Sequence, residues 1–226
     1  MQEVLTTAFW AGFLEVVWIN IILSGDNAVV IALAARSLPQ RQQRLAVLWG
    51  AGAAVVLRIL LTLVAVRLLQ FPYLKLAGAL ALLWIAVKLL VPEAEDGEVH
   101  APPSLLGAIK TILVADLVMS TDNVIAVAAV ANGSTLLLVL GLLVSIPLVV
   151  FGATMLMRLM ERYPLIITLG AAVLGWTAGE LAITDPALAG QLPPHSGWLH
   201  WAVSAACAVL VVLIGRTLAA RHEAPA

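Results

Sequence analysis

Apolar residues run along most of this chain in long blocks, and polar residues gather in the short gaps between them. Each uninterrupted apolar block of about 18 or more residues is long enough to cross a bilayer. Reading the blocks in this way predicts seven transmembrane helices, at about 8–35, 45–69, 73–91, 105–131, 134–157, 164–184 and 199–219. Turn-forming residues such as Pro39, Pro72 and Pro164 stand in the gaps. The pattern predicts an all-α polytopic membrane protein, with residues 1–226 forming one transmembrane domain.

The composition agrees with a membrane protein and excludes other classes. Of the 226 residues, 62% are hydrophobic and 11% are charged, which leaves too little polar surface to coat a water-soluble globule. A net charge of -1 supplies no basic field for nucleic acid. The lone Cys207 allows neither an intrachain disulfide nor a cysteine metal cluster. The expected surroundings are therefore the lipid bilayer, and nucleic acid is not expected as a partner.

Lys and Arg are distributed unevenly between the two ends of the predicted spans. If the odd-numbered spans run from outside to inside, one side keeps only Arg67 and Lys75. The other side collects Arg36, Arg41, Arg44, Lys88, Lys110, Arg158, Arg162, Arg216 and Arg221. Because basic residues favour the cytoplasmic side, the N-terminus is predicted outside and the C-terminus in the cytoplasm. The acidic linker at 92–104 is then cytoplasmic, and a solvated linker is its simplest interpretation.

Two parts of the chain resemble each other. Phe71–Gly78 parallels Tyr163–Gly170, and the comparison extends to a repeat of three spans at 8–91 and three at 105–184. Because each unit holds an odd number of spans, the second unit must be inverted relative to the first. Inverted repeats are typical of transporters whose substrate site lies near the midplane of the membrane. The helix at 199–219 is an addition outside the repeat.

Polar and acidic residues recur inside two of the spans with the same spacing. They are Asn20, Ser24, Asp26 and Asn27 in the first copy, and Asp116, Ser120, Asp122 and Asn123 in the second. Residues at i, i+4 and i+7 share one face of a helix, which groups all but Asp26 and Asp122. A charged side chain at the bilayer centre costs at least about 2.5–3.5 kcal/mol on insertion scales. Repeated carboxylates at this depth therefore favour a cation site.

Asp26 and Asp122 lie off the shared face as long as the helix is regular. Gly25 and Thr121, which precede them, are residues at which a helix opens a turn. Such an opening brings each carboxylate to the side of its asparagine and releases backbone carbonyls. The alternative interpretation is that the asparagines and serines only hold neighbouring helices together. That alternative explains the neutral polar residues but not the three intramembrane aspartates.

The predicted ligands are carboxylates, amide carbonyls, hydroxyls and backbone carbonyls. These hard oxygen donors suit Mn²⁺, Ca²⁺ or Mg²⁺, whereas Cu(I) and Zn²⁺ call for Cys or His. Carboxylates that face one another without a metal ion repel and take up protons, which provides a route for exchange of metal against H⁺. The metal ion is expected as a transported substrate, and no permanently bound cofactor is expected.

Other charged residues also fall within the spans. Glu15 is a candidate gate or proton carrier, and an interfacial carboxylate that faces water is an equal alternative. Arg58 is expected to pair with an acidic residue of the bundle, and Glu15, Asp26 and Asp116 remain open as its partner. A role of Arg58 in proton coupling or gating is also a prediction.

Lys88 and Glu180 occupy matching repeat positions with opposite signs. An ion pair across the repeat is one interpretation. Snorkelling of the two side chains to opposite membrane surfaces is the other, because both residues stand near helix ends. Both residues are also candidates for proton coupling or gating.

The segments that carry these motifs resemble a known family. They are Asn20–Pro39, Pro72–Leu89, Asp116–Asn123 and Pro164–Pro186. They resemble the TerC family of integral membrane proteins, in particular its short bacterial YjbE-like branch. The resemblance implies a seven-helix bundle of the lysine-exporter-like superfamily, located in the bacterial inner membrane and exporting Mn²⁺ from the cytoplasm. Many relatives have an acidic residue six positions before the first aspartate, whereas this chain has Asn20, which lowers the charge of the site by one.

The sequence leads to a secondary exporter of divalent cations, with Mn²⁺ favoured and Ca²⁺ as the next ion. The predicted primary ligands are Asp26, Asn27, Asp116, Asp122 and Asn123, followed by Asn20, Ser24 and Ser120. An exporter of amino acids or small organic cations is an alternative, and so is a membrane stress or assembly protein that transports nothing. An enzyme is not expected, because the four histidines lie in loops or near helix ends.

Overall fold

The computed structural model of the protein describes residues 7–68, 73–91, 104–130, 135–189 and 197–223. Within those ranges the regular structure is entirely helical, without a strand. The helices are α1 (Thr7–Ile22), α2 (Gly25–Ala35), α3 (Gln40–Leu68), α4 (Leu74–Leu90), α5 (Leu105–Val130), α6 (Thr135–Arg162), α7 (Leu165–Ile183), α8 (Pro186–Ala189) and α9 (Gly197–Glu223). The prediction of an all-α fold is confirmed.

Several of these helices are long and apolar enough to cross a membrane. Among the described residues they are Gln40–Thr62, Val139–Arg162, Leu165–Ile183 and Trp198–Ala220. The pair α1 and α2, bent by 48° at a short break, makes a fifth span if it is counted as one. A helix also stands at each of the other predicted spans, although α4, at 17 residues, is short for a span. A multi-pass membrane protein is confirmed, and the number of seven spans stays a prediction.

The helices of the two predicted repeats pack in a reciprocal way. The second span of the first half, α3, packs on α5, and the second span of the other half, α6, packs on α1 and α2. The third spans of both halves, α4 and α7, pack on each other. Exchanging the two halves leaves this set of neighbours unchanged. The division into 8–91, 92–104, 105–184 and 199–219 stays a prediction, and residues 92–103 lie outside the described part.

The last helix, α9, packs closely against α7 through small residues. A Cβ atom added to Gly179 would lie 2.6 Å from the Cα of Ser204, and one added to Gly175 would lie 2.8 Å from the carbonyl oxygen of Cys207. Two glycines spaced by four residues let helix backbones approach, a common device in membranes. The absence of side chains at Gly175 and Gly179 therefore allows the backbone of α9 to pack directly on α7.

The outer surface of the bundle is apolar. Large aliphatic side chains are exposed on α3, α6 and α9, and tryptophans are exposed by 52–72%. These tryptophans are Trp10, Trp18, Trp49, Trp84, Trp198 and Trp201. Exposed apolar side chains in such number are stable only against lipid, and tryptophan favours the membrane interface. By contrast, α2 is buried from Asn27 to Ala35 except for the half-buried Val29, so it lies inside the bundle.

Candidate cation site

The first motif copy lies at a break in the helix. α1 ends at Ile22, α2 begins at Gly25, and Ser24 between them has φ −105° and ψ 3°. The opened turn thus precedes Gly25, next to the position predicted. The second copy stays within α5, which is helical from Leu105 to Val130, so the prediction of an opening at Thr121 is wrong. Glycine costs a helix about 1 kcal/mol relative to alanine, whereas threonine is tolerated better.

Irregular backbone at membrane depth is stable only where protein or water surrounds it. Ser24 is 4% exposed, and α5, α6 and α7 pack around α2. The backbone N–H of Ser24 donates to the Ile21 carbonyl at 3.2 Å, and the Ser24 carbonyl accepts from the N–H of Ala28 at 3.0 Å. The break is therefore enclosed and partly hydrogen-bonded.

The guanidinium of Arg58, on α3, lies at the centre of the polar cluster and is almost fully buried. Its Nη2 donates to Asp116 Oδ1 at 2.7 Å. Its Nη1 donates to Asn20 Oδ1 at 2.9 Å and, more weakly, to Ser24 Oγ at 3.4 Å. Its Nε donates to Ser120 Oγ at 2.9 Å. Arg58 thus contacts equivalent positions of both motif copies, which confirms that those positions share a face. We call these five residues the Arg58 cluster.

Asp116 is the partner of Arg58 among the three candidates named from sequence. The two side chains form an ion pair, with 2.7 Å between Arg58 Nη2 and Asp116 Oδ1. Ser120 Oγ donates to Asp116 Oδ2 at 3.0 Å, so both carboxylate oxygens are engaged. Glu15 is exposed on α1. The arginine therefore stabilises a carboxylate that would otherwise be buried without a counter-charge.

Asn27 and Asn123, the asparagines that end the two motif copies, both donate to one backbone carbonyl at the helix break. Asn123 Nδ2 donates to the Leu23 carbonyl at 3.1 Å, and Asn27 Nδ2 donates to the same oxygen at 3.4 Å. Asn27 is 4% exposed, and its Oδ1 has no hydrogen-bond partner in the described structure. A buried carbonyl oxygen without a donor is rare in folded proteins and calls for a water, an ion or a donor.

Asn27, the residue that carries this unpartnered oxygen, lines a small cavity. Its volume is about 10 Å³, and its lining is Asn27, Val30, Ile31, Ile112 and Asp116. A space of this size holds about one water molecule or one ion without its hydration shell. A larger space of about 340 Å³ follows the outer face of α6 from Phe151 to Arg162. That groove is lined by one helix, contains no carboxylate and lies apart from the motifs, so it is not the candidate site.

Asp26 and Asp122 differ from Asp116 in their surroundings. Asp26 is half-buried in the first turn of α2, and its Oδ1 accepts the N–H of Asn27 at 2.9 Å. An acidic residue is favourable at a helix N-terminus. Asp26 also lies within electrostatic range of Arg58 and Asp116. The side chain of Asp122 lies outside the described residues, and only its place in α5 is known.

The donor set contains carboxylate, amide, hydroxyl and carbonyl oxygens. No group of three or more His, Cys, Asp or Glu side chains suited to a metal ion occurs among the residues described, a set that omits the side chain of Asp122. A cation bound here would therefore rely on neutral oxygens as well as carboxylates, as Ca²⁺ and Mn²⁺ sites do. The ligand set named from sequence stays a prediction.

The candidates for coupling or gating lie away from the Arg58 cluster, apart from Arg58 itself. Lys88 is exposed, with its Nζ 5.3 Å from the centroid of the Trp84 ring. Glu180 is exposed on α7, and the two residues form no ion pair with each other. This arrangement agrees with snorkelling to the membrane surface. A function of Glu15, Lys88 or Glu180 in coupling stays a prediction.

One further buried carboxylate, that of Asp185, lies outside both motif copies and was not predicted as a functional residue. Asp185, between α7 and α8, is 0% exposed and accepts the backbone N–H groups of Tyr73, Leu76 and Ala187 at 3.0, 3.1 and 2.7 Å. Burial raises the pKa of Asp185, but these backbone hydrogen bonds outweigh it and hold the pKa below its usual value. The signal available in sequence is Asp before Pro186, since this pair favours a helix start.

Tyr73 is held in an unusual conformation beside Asp185. Its φ is 68°, the single positive φ of a non-glycine residue in the described part of the chain. Tyr73 is the N-cap residue of α4, and its side chain accepts no hydrogen bond from the first N–H groups of the helix. The Asp185 carboxylate accepts from the N–H groups of Tyr73 and Leu76 instead. Asp185 is therefore a structural cap that ties the end of α7 to the start of α4.

The similarities to known proteins cover most of the chain. The model of the integral membrane protein TerC family matches residues 5–223. The uncharacterized membrane protein YjbE of Bacillus subtilis (strain 168) is 42% identical over 182 residues, or 80% of this chain and 84% of YjbE. YkoY of the same strain is 28% identical over 218 residues, or 83% of this chain and 67% of YkoY.

A further relative extends beyond the length of this chain. The inner membrane protein YoaE of Escherichia coli (strain K12) is 25% identical over 189 residues, which are 75% of this chain but 36% of YoaE. No solved structure matches. The family match and the identity to YjbE agree with the resemblance found from the paired Asp-Asn motifs. The chain belongs to the TerC family of integral membrane proteins.

Proposed function

We propose that this protein is a secondary transporter that exports divalent metal cations from the cytoplasm, with Mn²⁺ as the favoured ion. The observation that carries the proposal is the unpartnered Oδ1 of Asn27, a residue that lines a small cavity together with Asp116. Asn27 and Asp116 are both buried within an apolar helical bundle. A cation in this cavity would satisfy the amide oxygen and add positive charge beside the carboxylate.

The position of the cluster supports transport. It lies where a broken helix of one half of the chain meets an unbroken helix of the other, α2 against α5. In transporters built from inverted repeats, substrate sites occur at such junctions, with interrupted helices as their walls. The reciprocal packing of the two halves supports an inverted repeat at 8–91 and 105–184. Rocking of the halves would then expose the cluster to each side in turn.

The location and the direction follow from separate arguments. The excess of Lys and Arg on one side supports an N-terminus outside and a cytoplasmic C-terminus. Inner-membrane location is proposed from the family and from the similarity to YoaE, an inner membrane protein. Exchange against protons is proposed because carboxylates that lose a bound cation favour protonation.

Export of amino acids is a second candidate, and one observation favours it. A buried guanidinium recognises a carboxylate, and a buried carboxylate recognises an ammonium group. Arg58 and Asp116 would provide both for an amino acid. However, they satisfy each other at 2.7 Å, and the adjoining cavity of about 10 Å³ has no room for an amino acid. The metal ion is therefore the better candidate.

Calorimetric titration of the purified full chain tests the proposal. Mn²⁺, Ca²⁺, Mg²⁺, Zn²⁺ and lysine are titrated into the wild type and into Asp26→Asn, which keeps the acceptor at the start of α2 but removes its charge. We expect saturable Mn²⁺ binding that is weakened about tenfold or more in Asp26→Asn. Glu161→Gln, at an exposed position on α6, is the matched control and should bind as the wild type does.

One result would contradict the proposed function, and another would change only the ligand set. Saturable lysine binding without divalent binding would support the amino-acid exporter instead. Divalent binding of equal affinity in the wild type and Asp26→Asn would remove Asp26 from the site. Proteoliposomes loaded with Mn²⁺ then test export directly, because a binding protein that does not transport would leave the ion inside.

A further inference from the structure

The guanidinium of Arg58 fills the place where the two motif copies meet. Its three nitrogen atoms donate to side chains from both copies, and the residue is 3% exposed. Both oxygens of the Asp116 carboxylate are engaged, Oδ1 by Arg58 and Oδ2 by Ser120. In this arrangement the oxygens that a metal ion would need are already occupied by hydrogen-bond donors.

We propose that Arg58 is a tethered cation that occupies the site between transport events, and that the entering ion must displace it from Asp116. This inference rests on the proposed function and adds a residue that determines which ions are accepted. The displacement is a change of conformation, in which the guanidinium moves away from the Asp116 carboxylate.

The atoms that bind the guanidinium are suitable ligands for a metal ion. Arg58 donates to oxygen atoms of Asp116, Asn20 and Ser120, with a longer contact to Ser24. When the guanidinium leaves, these oxygens are free on the side of Asp116 that faces both motif copies. Together with the unpartnered Asn27 Oδ1 they form a set of hard donors of the kind that Ca²⁺ and Mn²⁺ prefer.

The guanidinium and a metal ion exclude each other in this space. The cavity beside Asp116 and Asn27 is about 10 Å³, so it has no room for an ion with its remaining waters while Arg58 stays. A second positive charge in a buried region of low dielectric constant is also strongly repelled. Arginine has a long unbranched side chain, so the guanidinium can withdraw while α3 remains in place.

Displacement favours divalent over monovalent cations. Replacing the guanidinium by Na⁺ or K⁺ leaves the charge of the Arg58 cluster unchanged and loses a hydrogen-bonded ion pair. Replacing it by a divalent ion adds one positive charge beside Asp116, with Asp26 within electrostatic range. Monovalent ions therefore do not bind strongly enough to displace Arg58 from Asp116, whereas divalent ions do.

Calorimetric titration of Mn²⁺ into the purified full chain tests this role in Arg58→Gln and Arg58→Lys. We expect Arg58→Gln to bind Mn²⁺ at least about tenfold more tightly than the wild type, because the competing cation is gone. Arg58→Lys should fall between them, since one ammonium cannot engage all four partners. Arg36→Gln is the matched control: Arg36 donates to the Leu89 carbonyl at 3.0 Å, outside the cluster, and its loss should leave Mn²⁺ affinity unchanged.

Adding guanidinium ion to a variant without Arg58 distinguishes competition with Mn²⁺ from a purely structural role of Arg58. In Arg58→Ala, millimolar guanidinium ion should weaken Mn²⁺ binding by competing for the vacated space, and it should have no such effect on the wild type. If guanidinium raised the thermal stability of Arg58→Ala without weakening Mn²⁺ binding, Arg58 would be a structural residue and the proposal would be wrong.

The outcomes separate this inference from the proposed function. If the wild type binds Mn²⁺ and folded Arg58→Gln binds it equally or more weakly, the tethered cation is wrong and the metal site stands. If neither protein binds a divalent ion, both are wrong. Should Arg58→Gln not yield folded protein, Arg58→Lys decides: tighter binding than the wild type supports the displacement, and equal or weaker binding overturns it.

Discussion

The two copies of the Asp-Asn motif have similar sequences and different backbones. Residues 20–27 run through a break between α1 and α2, whereas residues 116–123 lie within the unbroken α5. Both copies nevertheless direct their equivalent side chains at the same guanidinium, that of Arg58. Spacing therefore determines which side chains share a face, while the helix opens only next to a residue with low helix propensity such as Gly25.

The copies also differ in charge. Arg58 pairs with Asp116 in the second copy, and the equivalent residue of the first copy is the neutral Asn20, whose Nδ2 has no partner in the described structure. The ion pair is therefore one-sided: a carboxylate of the second copy faces Arg58, whereas a neutral amide of the first copy faces it.

The largest difference should appear when the equivalent residues Asp116 and Asn20 are replaced by leucine. Asp116→Leu leaves Arg58 buried without its counter-charge and should cost about 3–5 kcal/mol of stability. Asn20→Leu removes one neutral acceptor and should cost about 1–3 kcal/mol. Thermal unfolding in detergent measures both. The double variant Arg58→Met with Asp116→Leu removes both charges and should recover much of the stability that Asp116→Leu loses. Equal losses of stability in Asp116→Leu and Asn20→Leu would refute the one-sided ion pair.

A second prediction compares two buried carboxylates that are stabilised by different groups. Asp116 depends on a guanidinium, whereas Asp185 depends on backbone N–H groups. Asp185→Ala leaves these N–H groups unsatisfied and should lower stability by about 1–3 kcal/mol. Mn²⁺ affinity should not change, because Asp185 lies outside the Arg58 cluster. A matching loss of Mn²⁺ binding would show that the cap and the site are coupled.

The pH dependence of Asp185 has a definite sign. Its folded pKa lies below the unfolded value of about 3.9, so the carboxylate contributes stability above that pH. This contribution is lost as the pH falls through the folded pKa. The difference in melting temperature between wild type and Asp185→Asn should therefore be constant near neutral pH and shrink in acid. A difference that persists unchanged at pH ~2 would contradict the ionised cap.

A further prediction compares Asn27 and Asn123, the asparagines that end the two motif copies. Asn27 lines the cavity and has an unpartnered Oδ1, whereas Asn123 donates to the Leu23 carbonyl and is not one of the lining residues. Asn27→Leu should weaken Mn²⁺ binding about tenfold and change stability by less than about 1 kcal/mol. Asn123→Leu should have the smaller effect on affinity in calorimetric titration. The reverse order would move the site from the first copy to the second.

The smallest expected effect concerns the helix break. A Cβ atom at Gly25 meets nothing within 4 Å, so Gly25→Ala is sterically free and should favour a continuous helix by about 1 kcal/mol. If the open turn is needed for binding, Mn²⁺ affinity should fall by up to about fivefold. Thr121→Ala in the unbroken α5 is the control and should leave affinity unchanged. Equal affinities in Gly25→Ala and the wild type would mean that the break does not serve binding.

Parts of the fold and of the site were predictable because they depend on local pattern. The long apolar blocks identify a membrane protein, and the structure has a helix at each of these blocks. The shared face of Asp116 and Ser120 follows from the helical period, and both residues contact Arg58. The cap at Asp185 was not singled out, since its partners Tyr73 and Leu76 are more than 100 residues away in sequence.

The sequence by itself determined that this protein is an all-helical membrane protein of the TerC family with polar motifs on two helices. Composition and helical periodicity are local properties, so no packing information was needed. Only the tertiary structure decided that Asp116 rather than Glu15 or Asp26 pairs with Arg58, and that the helix opens at Leu23 and Ser24 in one copy alone. The partner of Arg58 and the place of the break depend on which helices pack against each other. A buried guanidinium is stable only beside a carboxylate that neutralises it, and helix packing brings Asp116 to that place.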